Sequence, residues 1–277
     1  MNIKNLTMTF GTQEIFNDVT LQIKDKEKVG IIGVNGAGKS TFFKLILGTI
    51  QPDSGKIILK PGTRIGFLPQ VISDEIPNMD ISVFDFLLDG RPIKKLENEL
   101  ADLYTQASTE TDEKKIKYIM KKIGKTQEKL EYYDVYNCEN ILLKIVTGMN
   151  IDSDLLDLKL SALSGGQKSK IAFARLLYSN PEIILLDEPT NHLDLDSKNY
   201  NGTILVISHD IEFLDQITTQ TLYVDKTTHQ MELYPGNYEK YMKIRNERLK
   251  TQERIYEKQL KEEEKLKNII NKYIRGN

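Results

Sequence analysis

The sequence has a single cysteine, Cys138, no tryptophan and only three histidines. One cysteine rules out an internal disulfide and fits a reducing compartment. No Cys/His cluster has the spacing of a zinc site. No apolar run approaches the roughly 18 residues of a membrane helix, and no N-terminal targeting pattern is present. A cytoplasmic location with no integral membrane segment is therefore expected. The absence of tryptophan decides nothing. An excess of one charge is missing too: 38 basic against 40 acidic residues leaves a net charge of −2, which by itself argues for no polyanion partner. The balance hides an asymmetry. Residues 240–277 hold twelve Lys or Arg against six Glu, a surplus of +6, so the remainder carries −8. A length of 277 residues can bury a substantial core, with room for one large domain and an appendage.

What is present is organised around Gly33-Val34-Asn35-Gly36-Ala37-Gly38-Lys39-Ser40-Thr41. The stretch fits G-x-x-x-x-G-K-[ST], the phosphate-binding loop. Its glycines let successive backbone N–H groups turn inward around phosphate oxygens. Lys39 brings a mobile positive charge to the outer phosphates, and Ser40 brings a hydroxyl to magnesium. The apolar run Val29–Ile32 before it reads as a buried strand. Phe42–Leu47 after it reads as an apolar helix whose N-terminus faces the phosphates.

Residues 1–28 alternate apolar and polar, from Ile3, Leu6, Met8 and Phe10 to Ile15, Val19, Leu21 and Ile23. The pattern predicts antiparallel strands with a turn near Gly11. Phe10 has two readings: an aromatic ring to stack on adenine, or a sheet-core side chain. Strands are also expected at Lys56–Leu59 and Arg64–Leu68, between turns at Gln51–Gly55 and Pro61-Gly62. The second strand ends at Gln70, whose amide is placed to reach a metal and an attacking water. Residues 91–134 change character. Leu96, Leu100 and Leu103, then Ile116, Ile119, Ile123 and Leu130, follow helical spacing among Lys and Glu. They predict a two-helix hairpin with one apolar stripe, either projecting or folded on the body.

Leu163-Ser164-Gly165-Gly166-Gln167 precedes a charged and then apolar stretch, Lys168–Leu177, read as a helix that starts just after the glycines. Such a start can bind an anion. Ile183–Leu186 is continuously apolar, as a buried parallel strand is, and it ends in Asp187-Glu188-Pro189-Thr190. Strand alternation would send the two carboxylates to opposite faces. Asp187 would then hold magnesium, and Glu188 would polarise the water that attacks the terminal phosphate. Asn191-His192-Leu193-Asp194 comes next. Thr203–Ile207 is a further buried strand ending in Ser208-His209-Asp210. His209 is read as a contact to the terminal phosphate, with a core histidine as the alternative. Residues 195–202 are too few and too polar for the helix that a parallel connection calls for. Either the crossover lacks that helix or the numbering closes over absent residues; the second is expected. From Glu239 onward the chain reads as one long charged helix with a thin apolar stripe that wants a partner. A boundary inside a longer protein after Asn277 is the expectation.

Together these stretches resemble an ATP-binding cassette. The phosphate loop, Gln70, Leu163–Gln167, Asp187-Glu188, Asp194 and His209 match that family's motifs in kind and order over residues 1 to about 235. The resemblance implies an α/β fold: a mixed-sheet core, an antiparallel β subdomain and a helical subdomain carrying Ser164, Gly165, Gly166 and Gln167. It also implies Mg-ATP as substrate, held between the phosphate loop of one cassette and the Ser164 region of another, which is either a C-terminal half of the same polypeptide or a second copy of this chain in a homodimer. Asn191–Asp194, Gln167–Lys170 and Tyr234–Tyr238 leading into a charged helix are similar to the F-type members. These pair two cassettes on one chain through a helical linker and act on the ribosome and its RNA, in translation or in protection from antibiotics. The implied layout is a cassette at 1–235, an inserted arm at about 91–134, and the start of a linker at 236–277. The basic surplus of the linker suits a phosphate-rich partner. The alternative is the ATPase subunit of a membrane transporter, which shares every catalytic motif.

Overall fold

The computed structural model describes residues 1–70, 80–189 and 200–275, with side chains through Glu263. β1 (Asn2–Phe10) and β2 (Gln13–Gln22) form a hairpin whose turn places Gly11 at φ +61°. β3 (Lys28–Ile32) leads through the phosphate loop into α1 (Lys39–Leu47). β4 (Ser54–Ile58) returns to pair antiparallel with β1, giving a three-stranded sheet in the order β2-β1-β4. β5 (Ile65–Leu68) opens a helical region: α2 (Val83–Leu88), α3 (Ile93–Thr109), α4 (Glu113–Tyr132), α5 (Cys138–Gly148) and α6 (Gly165–Ser179). The chain closes with β6 (Ile183–Asp187), β7 (Thr203–Ile207), α7 (Ile211–Ile217), β8 (Gln220–Val224), β9 (Met231–Pro235) and α8 (Tyr238–Arg275).

The second sheet runs β5-β6-β7-β3-β8-β9 and is parallel except for β9. β6 and β7 are apolar throughout because both faces of this sheet are covered. Ile183, Leu185, Leu205 and Ile207 face a core shared with Phe42 and Phe43 of α1 and with the three-stranded sheet. Ile184, Leu186, Ile204 and Val206 face a second core built with α2, α5 and α6. β6 and β7 are direct neighbours, Ile183 opposite Thr203. Most of their connection lies outside the described residues.

α3 and α4 form the expected hairpin. Ile93, Leu96 and Leu130 make one small cluster, and Leu103, Ile119 and Ile123 another, both separate from the two main cores. The hairpin thus carries its own apolar seam. Asp112 caps α4 by accepting from Lys114 N at 2.8 Å. Two arginines fasten its base. Arg91, itself buried, donates to Tyr178 O and Tyr133 O at 2.7 Å each. Arg64, just before β5, donates to Tyr132 Oη at 2.7 Å and Glu182 at 3.1 Å.

The root of α8 is more deeply packed than a thin stripe suggests. Tyr241 is fully buried, stacked on Tyr223 and edge-on to Tyr234. Arg245 lies over the Tyr223 ring at 4.2 Å. The first turn of α8 is held by Asp215 of α7, which accepts from Glu239 N at 3.0 Å.

Candidate functional site

In a parallel sheet, ligands are met at the carboxyl ends of the strands. Here β3 delivers the phosphate loop to that edge, β6 delivers Asp187-Glu188 and β7 delivers Ser208-His209. β5 pairs Leu68 with Leu186, so Gln70 reaches the same edge, exposed to solvent.

The loop is held by Ala37 N donating to Val34 O at 3.1 Å and by Gly36 and Gly38 at φ +75° and +102°. α1 has Gly38 as its N-cap and receives no side-chain cap. Its first N–H groups are thus left to an outside acceptor, and the helix dipole favours an anion there. Asn35 and Gly36 are exposed, Ala37 is buried, and Thr41 lies in the first turn of α1. Lys39 Nζ folds back on Gly33 O at 2.8 Å. Burial pushes the Lys39 ammonium below its ordinary value, while Glu188 and then Asp187 hold it up.

Burial also pushes the Asp187 carboxyl above its usual range, against a hydrogen bond with Ser40; the Glu188 charge adds to the rise. Ser40 and Asp187 together offer two hard oxygen donors, the type magnesium takes while keeping several waters. Among the described residues no group of three or more His, Cys, Asp or Glu gathers elsewhere into a metal site. The Asp187 charge therefore has a cost in the nucleotide-free chain. A carboxyl raised on folding contributes stability at low pH that is lost as pH rises through its folded value. Asp187→Asn is expected to raise the melting temperature near neutral pH, by an amount kept small by the solvent that still reaches this half-buried carboxyl. The gain should shrink toward acid pH, where Asp187 is already protonated. Thermal melts across pH check this; a variant that melts lower than wild type at neutral pH would contradict it.

The two carboxylates part differently from the expected alternation. Glu188 is not in the strand. Its backbone turns left-handed, φ +49°, with its N–H donating to Ile207 O at 2.8 Å. A non-glycine residue in that region is strained and is held by its surroundings. Here His209 does the holding: its backbone N–H donates to Glu188 Oε2 at 3.1 Å, and its Nε2 lies 3.3 Å from Oε1. The His209 side chain is 65% exposed, which removes the core-histidine reading.

Phe10 is 50% exposed at the end of β1, which removes its core reading as well. Ser164 caps α6 through a capping box with Gln167, so the helix begins at Gly165 and includes the two glycines instead of starting after them. Ser164, Gly165 and Gly166 are exposed, with open space in front of both glycines. None of them lines the cavity of about 610 Å³ beside the phosphate loop. Asp194 lies outside the described residues. Sequence reasoning missed the far wall of that cavity: Tyr238, Tyr241, Met242 and Arg245 of α8 face Gly33, Lys39 and His209 across it. The density of tyrosines at 234–241 was the available signal.

A family model described as ABC transporter matches residues 16–191, and a second of the same description matches 224–277. The chain belongs to the ABC transporter family. This ABC chain is 32% identical to the uncharacterized ABC transporter ATP-binding protein YfmM of Bacillus subtilis, over 98% of its own length and 53% of that protein. It is 33% identical to the energy-dependent translational throttle protein EttA of Mycobacterium tuberculosis, over 91% of its length and 45% of that protein. It thus spans about half the length of these curated relatives. In fold it is similar to a nucleotide-free ATP-binding cassette from an ABC transporter, with a TM-score of 0.56 at 21% identity, over 88% of this chain and 94% of that one. The ABC fold, with its mixed sheet, antiparallel β sheet and helical region, places ATP-binding and hydrolysis machinery in this chain. No helix among the described residues is long and apolar enough to cross a membrane.

Proposed function

We propose that the chain is one nucleotide-binding half of an F-type cassette protein that hydrolyses Mg-ATP and acts on the ribosome, in translation regulation or antibiotic ribosome protection. The observation that carries this reading is α8. A long helix with a basic surplus is rooted in the wall of the nucleotide cavity and leads away from it. That arrangement suits a lever meeting RNA, where neutralised phosphates dominate affinity. Similarity to a protein named a translational throttle supports it. In domain terms, residues 1–235 are the cassette, 91–134 its arm, and 236–277 the start of a linker to a second cassette.

Each residue then takes one role. Phe10 stacks on adenine. Lys39 and the amides from Gly33 to Thr41, including Asn35 and Ala37, hold phosphate oxygens. Ser40, Asp187 and Gln70 would hold magnesium, which when bound neutralises charge on the phosphates. Glu188 orients a water in line with the terminal phosphorus and accepts its proton as the phosphorus–oxygen bond to ADP breaks. His209 steadies Glu188 and meets the terminal phosphate. Ser164, Gly165, Gly166, Gln167 and Asp194 complete the site of the paired cassette, so this piece alone turns over weakly. The intact protein should cosediment with ribosomes and do so more strongly with a non-hydrolysable ATP analogue. Ribosome-independent sedimentation, with copurification of a membrane permease, would overturn the reading in favour of a transporter subunit.

A further inference from the structure

Every parallel strand of the main sheet sends the residues after it to one edge, and three of these deliveries supply the loop, the acids and His209. β8 is the parallel neighbour of β3, Ile32 opposite Tyr223, so the segments leaving the two strands lie side by side. The segment leaving β8 begins with Asp225-Lys226. The contact is close: a Cβ at Gly33 would stand 2.5 Å from Val224 O. At Gly36, in the middle of the phosphate loop, an added Cβ would meet one atom within 4 Å, Lys226 Nζ at 3.5 Å.

The turn that carries Lys226 is fastened at both ends. Asp225 Oδ1 accepts from Thr227 N at 2.8 Å, and Asp225 N donates to Gln230 O at 3.0 Å. On the other side, Asn17 N of β2 donates to His229 O at 3.0 Å. Asp225 is engaged by its own turn. Lys226 is exposed and makes no ion pair or hydrogen bond among the described residues. An unpaired ammonium is thus held against the exposed side of a loop whose amides are arranged for phosphate.

We propose that Lys226 is a further nucleotide-binding residue: its ammonium joins Lys39 in neutralising the phosphate chain, from the outer wall of the loop. The inference rests on the ATPase reading above and adds a residue from outside the sequence motifs. Lys39 reaches from the first turn of α1, whereas Lys226 approaches from the β8–β9 turn, so the two cations flank the loop from different elements.

The test is equilibrium binding of ATP, ADP and adenosine to the whole chain, by displacement of a fluorescent nucleotide, for wild type, Lys226→Met and Lys226→Arg. An exposed charge-assisted contact predicts that Lys226→Met weakens ATP and ADP by about 5–10-fold. Adenosine should be unchanged, and Lys226→Arg should stay within about twofold of wild type. The wild-type affinity for ATP should also fall more steeply with salt than that of Lys226→Met. Unchanged ATP affinity in Lys226→Met overturns the inference. So does an equal loss for adenosine, or an equal loss in Lys226→Arg, because each marks damage to the turn instead of a missing charge. If wild type binds none of the nucleotides, the ATPase reading falls and this one falls with it.

Discussion

Glu188→Gln is expected to lower the single-turnover rate of ATP cleavage by about 10²–10⁴-fold, the usual worth of a general base, while nucleotide still binds. The substitution keeps the shape of the side chain and one accepting oxygen. The hydrogen bond from His209 N, 3.1 Å long, can therefore persist, and with it the left-handed turn at residue 188. What disappears is the carboxylate that takes the proton from water. Lys39 also loses part of the charge that holds its ammonium up, although Asp187 remains as the second contributor. Binding of the triphosphate should consequently survive better than turnover. Where a second cassette pairs with this one as proposed, the variant should accumulate in a closed, ATP-loaded state. Rapid-quench measurement of phosphate release, beside equilibrium nucleotide binding, separates the two effects. Cleavage at the wild-type rate would remove Glu188 from its role.

Gly38→Ala is expected to weaken ATP binding by about 100-fold, which corresponds to roughly 3 kcal/mol. Two costs add. Gly38 sits at φ +102°, a region that side chains enter at about 1–3 kcal/mol. The new methyl would also lie 2.5 Å from Ile15 Cγ2 and 3.0 Å from Phe16 Cζ. Phe16 is fully buried in the core below, so it has little room to give. The loop would relieve the clash by lifting away, and its amides would leave the positions that suit phosphate. Gly48→Ala is the control. It ends the same helix at φ +71° with nothing within 4 Å, so it carries backbone strain without a clash and should leave nucleotide affinity intact. Titration with a fluorescent nucleotide compares the two, and ATP affinity at the wild-type level in Gly38→Ala would sink the argument.

Much of the fold was legible because its signals are local. The phosphate loop is one contiguous stretch between a strand and a helix. The apolar runs at 183–186 and 203–207 are strands covered on both faces, and their alternation divides cleanly between the two cores. The start of α6 lies about three residues earlier than the glycines suggest, because glycine is a poor helix former and reads as a boundary. The pair Ser164 and Gln167, three apart, carried the opposing signal of a capping box, and that signal wins. Other features depend on partners far away in the chain. The turn at Glu188 is set by Ile207 and His209, the base of the α3–α4 hairpin is fastened by Arg64 and Arg91, and Lys226 meets Gly36 only through the register of β8 on β3. No periodicity or motif encodes such meetings. They arise once the sheet has fixed which strands are neighbours.

The root of α8 has a mechanical corollary. The helix runs for 38 residues from a pivot made of Tyr241, Arg245 and the Asp215 cap, and that cap belongs to the helix beginning two residues after His209. Its length is about 57 Å, so a tilt of about 10° at the pivot sweeps the distal end through roughly 10 Å. On the proposed lever reading, displacements of an ångström or so around a phosphate would thereby emerge, magnified several times, at a place no nucleotide touches. The stiffness of the rod and the tightness of its socket, more than the strength of any single contact with ATP, would set how much of each chemical cycle is delivered as movement.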